Sequence, residues 1–493
     1  MRAKTANERI IFGLKVKQLR QQRGYSFDQL SKATGISLSY LNEIEKGKKF
    51  PKQEKVASLA AALGTTTEEL TDGELGRELA PVSQLLQSNF LNELPLELFG
   101  IELSKVAEII AAAPLQVGAF ISTLLEISRS YALREENFYF AALRSYLELN
   151  ANYFPELEQA VVSFAEQYKL PAIRPLPPRI LGELLEDRFG YEIVPDGLDR
   201  QPALAGLRSV YQPATGRLLL NGKLTPVQRG FQFGKELAFN HLKLTERANT
   251  SSILKGRVFE EVLNHSKATY FSVALHLPLE SFTRELRGFF ALPEWDPAAF
   301  LGLMQRFNAT PEMFYHRLTN VIPRFFGLPE LFFLRFVHDR GTDHFVIDKE
   351  LHLNRRHHPH ENGLAEHYCR RWVSLHLLRE LSADPRENLR IEAQRSHYYG
   401  TDDEYLCITL ARTDYPREGK NVSVTLGLLL TDALRETVAF LHDPAIPRVV
   451  VNTTCERCPI TDCRVRAAAP VVVEKRERYR ATKAALRELE RSS

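Results

Sequence analysis

The chain has 493 residues, 44% of them hydrophobic and 25% charged, which is globular composition and too long for a single core. No apolar run reaches the roughly 18 residues that a membrane span needs, and the opening MRAKTANERI lacks the apolar core of a signal peptide, so a cytoplasmic location without membrane insertion is expected. Net charge is +3, but residues 1–70 hold 13 Lys/Arg against 7 Asp/Glu, so a basic module precedes a nearly neutral body, as suits a protein that meets phosphate at one end.

Residues 8–70 predict five short helices. Gly24 ends the first, Ser26 caps SFDQLSKAT up to Gly35, and Ser37 caps ISLSYLNEIEKG, closed by Gly47. KQEKVASLAAALG follows Pro51, and TTTEEL opens a last turn. The second and third helices, joined by a short turn containing Gly, form a helix-turn-helix. With Leu41 and Ile44 assigned to the core, Ser37, Leu38, Ser39, Asn42 and Glu43 are left to face base edges of a double-stranded operator, and Lys46, Lys48 and Lys49 to hold phosphates. The spacing GxSxSYLNEIEKGKKxP resembles the XRE/Cro-like repressors, with one departure. Phe27 stands where that family usually carries a Gln supporting the recognition contacts.

Residues 71–170 predict long apolar helices, read as a linker or dimerisation bundle. The four prolines of PAIRPLPPR, 171–179, mark a boundary. Beyond it come a helix (ILGELLEDRFG), a strand (YEIVP), a hairpin turning at Pro-Ala-Thr-Gly, and a long helix from Thr225, the entrance to a small α+β domain.

That helix carries FQFGKELAFNHL, Phe231–Leu242. A catalytic zinc helix needs imidazoles at i and i+4 with a Glu beside the first. Here Lys235 and Phe239 hold the ligand slots and only Glu236 survives, so no catalytic residue is expected and Glu236 reads as a structural carboxylate paired with a base. Downstream, FEEVLNHSKATYFSVALHLP resembles the second core helix of the ImmA/IrrE metallopeptidases. Its Glu260, Glu261 and His265 do not restore the missing pair.

RLTNVIPRFFGLPELFFLRF, Arg317–Phe336, then interleaves phenylalanines with arginines, and HLNRRHHPHENG, 352–363, gathers Arg355, Arg356, His357, His358 and His360 in a loop. From about 344 the chain is strand-rich. Three of the five cysteines, Cys455, Cys458 and Cys463, fall as Cys-x2-Cys-x4-Cys, one thiolate short of a usual zinc or iron–sulfur set. Cys369 and Cys407 are both candidates for the fourth, although Cys407 sits in an apolar run that suits a buried core residue. Arg457 and Arg464 beside the thiolates are expected to offset cluster charge. Residues 474–493 predict a charged tail.

In this order the parts resemble the short-chain fatty acyl transcriptional regulators over nearly the full length, with KATYF (267–271), RLTNVIPRFFGL (317–328), HYCRRW (367–372) and CERCPITDC (455–463) as specific marks. The resemblance implies a multidomain α+β regulator, not an enzyme. Its parts are an all-α helix-turn-helix domain at 1–70, a helical linker at 71–170, a zincin-like degenerate α+β domain at 171–343, a strand-rich domain with the Cys cluster at 344–473, and the tail. It further implies a homodimer that binds operator DNA, senses short-chain acyl-CoA, and holds a [4Fe–4S] cluster on Cys369, Cys455, Cys458 and Cys463, with structural zinc as the alternative. An acyl-CoA site needs an apolar slot and cations, for which Phe325, Phe326, Phe332 and Phe333 and Arg317, Arg324, Arg335, Arg355 and Arg356 are the candidates. Rival readings are a zinc peptidase that cleaves a repressor, opposed by Lys235 and Phe239, and an antitoxin-like autoregulatory protein.

Overall fold

The computed structural model describes residues 6–72, 135–172, 175–253, 258–353, 366–384, 386–415, 417 and 419–492. Two compact units form, residues 1–139 with 257–260, and residues 140–256 with 261–493.

In the first unit, helices α1 (Ala6–Gln22), α2 (Phe27–Thr34), α3 (Leu38–Glu45), α4 (Gln53–Leu63) and α5 (Thr67–Thr71) enclose one core of Phe12, Val16, Leu30, Leu41, Ile44, Leu59 and Leu63. The local signals work as expected. The hydroxyl of Ser26 accepts from Gln29 N in a reciprocal capping box, the Ser37 hydroxyl accepts from Tyr40 N, and Gly35 and Gly47 take left-handed φ of 69°. At Gly13 helices α1 and α3 touch so closely that a Cβ would stand 2.2 Å from Ile44 O.

The second unit begins with helices α6 (Glu135–Leu149, mostly within it) and α7 (Pro155–Gln167). These were expected in the linker but belong to the larger body. Asn152 Nδ2 donates to Thr319 Oγ1 and accepts at its carbonyl from Asn320 Nδ2, and Phe154 packs edge-on against Tyr270. The segments LSKVAEIIAAA and VGAFISTLLEISRSYA lie outside the described residues.

Helix α8 (Pro178–Phe189), strands β1 (Glu192–Val194), β2 (Ser209–Gln212) and β3 (Arg217–Leu220), and helix α9 (Pro226–His241) follow, with the sheet in the order β1-β3-β2. The β2–β3 hairpin turns at the expected Pro-Ala-Thr-Gly, and a Thr225 capping box starts α9. Helices α10 (Phe259–His276), α11 (Leu279–Phe290), α12 (Pro297–Arg306) and α13 (Pro311–Phe325) lead into a second sheet.

That sheet comprises β4 (Leu331–Asp339), β5 (Phe345–His352), β6 (Leu389–Tyr398), β7 (Glu404–Thr413), β8 (Lys420–Leu429) and β9 (Arg448–Val451), ordered β5-β4-β8-β7-β6-β9. All pairings are antiparallel except β6 with β9. Phe333, Leu406, Ile408 and Leu410 face the helices α11–α13, while Phe332, Leu334, Tyr405 and Cys407 face helix α14 (Val373–Ala383) on the other side. The sheet thus begins upstream of residue 344, inside the segment assigned to the peptidase-like domain. Strand β4 is buried on both faces, so its sequence, LFFLRFVHD, is mostly apolar and has no alternation to mark a strand. One core joins α11–α13 to the sheet and crosses the boundary expected at 343. Helices α15 (Asp432–Thr437) and α16 (Val471–Ser492) complete the described chain, and α16 contains the charged tail. Among the described residues no helix is long and apolar enough to cross a membrane.

Candidate functional sites

On α3 the side chains of Leu38, Ser39 and Asn42 are exposed and Glu43 is half-buried, so this stretch can meet another molecule; the Ser37 hydroxyl is engaged at the cap. Lys48 and Lys49 are exposed just past the helix end and Lys46 is half-buried there. Phe27 has a visible purpose. The Arg20 guanidinium lies 4.2 Å over its ring and reaches Glu45 of α3 with two hydrogen bonds, 2.6 and 3.0 Å, at a carboxylate that is almost wholly buried. Phe27, Arg20 and Glu45 therefore fix the orientation of the presenting helix from its rear.

In the second unit, α9 and α10 approach so closely at Gly234 that a Cβ there would stand 2.4 Å from Ser272 Oγ. This brings Lys235, in the first ligand slot, onto His265. Lys235 Nζ lies 3.0 Å from His265 Nε2 and donates to Ser251 O at 3.2 Å. Burial, against the pull of Glu236, lowers the Lys235 ammonium to about 7, and burial together with the Lys235 charge holds His265 well below the ordinary imidazole value. Phe239, in the second slot, is covered by the Arg247 guanidinium at 3.8 Å. Arg247 also donates to Glu236 Oε1 at 2.8 Å, and Tyr191 donates to Glu236 Oε2 at 3.0 Å. The Glu236 carboxylate is thus buried and paired with a base, Arg247. The expected ligand slots are therefore buried and hold a lysine and an aromatic ring, with a guanidinium stacked on the ring.

More cations act on Lys235. Lys349 of β5 is exposed to solvent, with Arg335 and Arg208 nearby. Arg208, just before β2, is half-buried, and burial depresses its guanidinium. Among the described residues neither side chain has a direct hydrogen-bond or ion-pair partner, although Lys349 acts electrostatically on both Lys235 and His265. The sequence reading missed Arg208 and Lys349; both lie in or beside strands whose pattern spoke only of sheet.

The expected pocket residues fare differently. Arg317 is corrected from ligand cation to core residue: fully buried, it donates to Glu158 Oε1 at 2.5 Å, Glu158 Oε2 at 3.0 Å and Leu277 O at 2.9 Å, while Tyr270 adds a bond to the same carboxylate. Arg335 is likewise committed, to Glu312, Asp348 and Asp414. Although burial raises the Glu312 carboxyl, Arg412, Arg335 and Arg208 hold it far below the usual range. Phe325 and Phe326 are half-buried, packed on Tyr153 and Phe290, and Phe332 and Phe333 point to opposite faces of the sheet, so the four build no common slot. Arg324 is exposed. Arg355 and Arg356, with His357, His358 and His360, lie outside the described residues.

The cysteines are gathered by backbone pairing. An isolated bridge joins Tyr368 to Thr454; Cys369 N donates to Thr453 O at 3.1 Å and Cys455 N to His367 O at 2.8 Å. Cys458 turns back on Cys455 through an N–H to carbonyl bond of 3.2 Å, and Ala467 N donates to Cys455 Sγ at 3.4 Å. Arg466 ties the loop by donating to the carbonyls of Cys455, Cys458 and Ile460. Cys369, Cys455 and Cys458 are buried and Cys463 is half-buried on the same loop. Burial pushes the Cys369 thiol to about 11, with Cys458 and Cys455 near enough to raise it further. Cys407 sits on β7 in the core layer that faces α14, and burial raises its thiol to about 12. Arg457 is not aimed at the thiols as expected: it forms a two-pronged pair with Glu366 at 2.8 and 2.7 Å.

With this geometry in view, comparison with known proteins finds a helix-turn-helix domain at residues 11–72 and an IrrE N-terminal-like domain at residues 199–319. The chain joins a helix-turn-helix domain to an IrrE-like domain. It is 26% identical over 483 residues to the HTH-type transcriptional regulator PrpR of Mycobacterium tuberculosis, a match covering 93% of this chain and 92% of that protein. The N-terminal domain alone is 36% identical over 59 residues to the HTH-type transcriptional regulator DdrOP3 of Deinococcus deserti, 12% of this chain and 46% of that one. It is 34% identical over 64 residues to the uncharacterised HTH-type transcriptional regulator YazB of Bacillus subtilis, 13% and 93%. A solved Mycobacterium tuberculosis transcriptional regulator aligns with a TM-score of 0.48 at 23% identity, covering 67% of this chain and 93% of that chain. The IrrE-like match spans β2, β3 and α9–α12, and so contains the cleft where Lys235 meets His265.

Proposed function

We propose that the chain is a cytoplasmic, homodimeric transcriptional regulator that binds operator DNA through α3 and senses a short-chain acyl-CoA through its second unit, without hydrolytic activity. The observation that carries the sensing is the pair of cations, Arg208 and Lys349, that have no direct partner among the described residues and both act electrostatically on Lys235. A coenzyme A ester presents several phosphate charges, and cations that no carboxylate contacts directly can pair with them. Regulation follows if the ligand binds unequally to the two conformations of the dimer.

One experiment addresses both halves: binding of the full chain to its own promoter across a salt series, with and without propionyl-CoA. Lys49→Ala is expected to reduce the log–log salt slope by about 0.9, the value for one phosphate contact. Propionyl-CoA is expected to shift promoter affinity at least ~5-fold. Arg208→Ala with Lys349→Ala should abolish that shift and leave the salt slope intact. Absence of promoter binding at low salt removes the DNA-reading half; indifference to propionyl- and acetyl-CoA removes the sensing half.

The same reading places a [4Fe–4S] cluster on Cys369, Cys455, Cys458 and Cys463. What supports it is the donor set: soft sulfur ligands on a loop fastened by Arg466, with a backbone N–H already directed at Cys455 Sγ, suit a cluster or zinc and no hard cation. The cluster would supply redox sensitivity, while these residues hold the loop against the His367–Cys369 segment. Anaerobically purified protein should show broad visible absorbance that Cys458→Ser removes. Colourless protein with one zinc per chain would replace iron by zinc, and metal-free protein would refute both.

A further inference from the structure

Away from the cysteine loop, α14 and β6 bring three metal-ligating side chains together. One ligand atom from each of His376, Glu380 and Glu392 lies within 4.8 Å of the other two. His376 and Glu380 are one turn apart on α14, with Nε2 and Oε1 separated by 3.2 Å. Glu392 stands on the neighbouring strand and, half-buried, accepts no hydrogen bond among the described residues.

The surroundings orient the group without neutralising it. Arg390 Nη1 contacts Glu380 Oε2, which leaves Oε1 on the imidazole side, and the same guanidinium is shared with Glu387 through Nε. Holding a ligating carboxylate by its second oxygen is how outer groups prepare a metal ligand. Two carboxylates this close repel each other, with only the shared arginine and the His376 imidazole to offset them. A divalent cation supplies the missing charge. An imidazole with two carboxylate oxygens selects a borderline transition ion over calcium or magnesium, which take oxygen ligands alone. His376 is 51% exposed at its side chain, so an ion can enter without unfolding.

We propose that His376, Glu380 and Glu392 form a second metal site that takes Zn²⁺, with water completing its coordination. Its position gives it a role. Helix α14 is capped by Trp372, three residues after Cys369, and β6 pairs with β9, from which the chain runs into Cys455. An ion joining α14 to β6 ties the helix that follows Cys369 to the strand beside the one that leads into Cys455.

The test is zinc titration of the full chain and its His376→Ala, Glu392→Gln and Cys458→Ser variants, by equilibrium dialysis and by melting temperature. Wild type should bind one zinc more than either His376→Ala or Glu392→Gln, or bind it at least ~10-fold more tightly, as expected when a ligand or its support is lost. Cys458→Ser should keep this zinc. Added zinc should raise the melting temperature of wild type and Cys458→Ser but not of Glu392→Gln, whose substitution is isosteric and near the surface. Equal zinc binding by wild type, His376→Ala and Glu392→Gln would overturn the assignment, and so would loss of all zinc on removing Cys458.

Discussion

Replacing Arg317 by Met is expected to destabilise the second unit by about 3–5 kcal/mol, the cost of leaving one charge of a buried pair uncompensated. The guanidinium is fully enclosed and its fork closes on both oxygens of Glu158, a residue on α7, so the pair joins α7 to α13 and, through Leu277 O, to the end of α10. In the variant Glu158 keeps only the Tyr270 hydroxyl and must be buried charged or take up a proton. The double variant Arg317→Met with Glu158→Leu should recover most of the loss, because an apolar pair of similar volume has no charge to desolvate. Urea denaturation of the full chain measures both. A single variant within about 1 kcal/mol of wild type, combined with weakened binding of propionyl-CoA, would return Arg317 to the ligand site and undo the structural role assigned to it.

The same residue illustrates where sequence reading stops. An arginine among phenylalanines looks like a cation beside an apolar slot, and only the fold reveals that its partner lies 159 positions away on a helix assigned to the linker. Local signals were far more legible. Ser26, Ser37 and Thr225 announce helix starts because a side-chain oxygen satisfies an orphan N–H within three residues, and Gly35 and Gly47 announce ends because few other residues take positive φ. The residues at the two expected ligand slots, Lys235 and Phe239, were equally legible, since neither is an imidazole. Their contacts were not: Lys235 meets His265 across two helices, and Arg247 arrives from the loop after α9. Strand β4 was hidden by its own complete burial. The cysteines lie between these cases. Three were clustered in sequence, whereas bringing Cys369 beside them depends on the bridge between Tyr368 and Thr454, a pairing no local pattern encodes.

Lys235→Met should change the pH dependence of stability more than stability itself. The folded ammonium titrates near 7, whereas a free lysine titrates at 10.5. Between those values the unfolded chain binds more protons than the folded one, so the lysine's contribution to stability rises with pH; below about 7 both forms are protonated and the burial penalty is present in full. One proton over this window corresponds to about 1.4 kcal/mol per pH unit. Relative to the Met variant, wild type should therefore gain about 2–3 kcal/mol from pH 7 to pH 9, a range in which His265 is neutral in both proteins. Two opposing terms set the sign at each end. Near pH 7 methionine removes a desolvated charge; near pH 9 the folded amine is neutral but a free lysine is still protonated, so about 2 kcal/mol of the penalty remains, set against a loss of about 1–3 kcal/mol when His265 Nε2 and Ser251 O lose their donor. The Met variant should thus be the more stable protein at pH 7, with the two proteins close to equal at pH 9. Chemical denaturation of both proteins at pH 7, 8 and 9 reads the difference directly. A difference that does not move with pH would mean that Lys235 keeps an ordinary ammonium in the fold, and that the ligand slot it occupies is open to water.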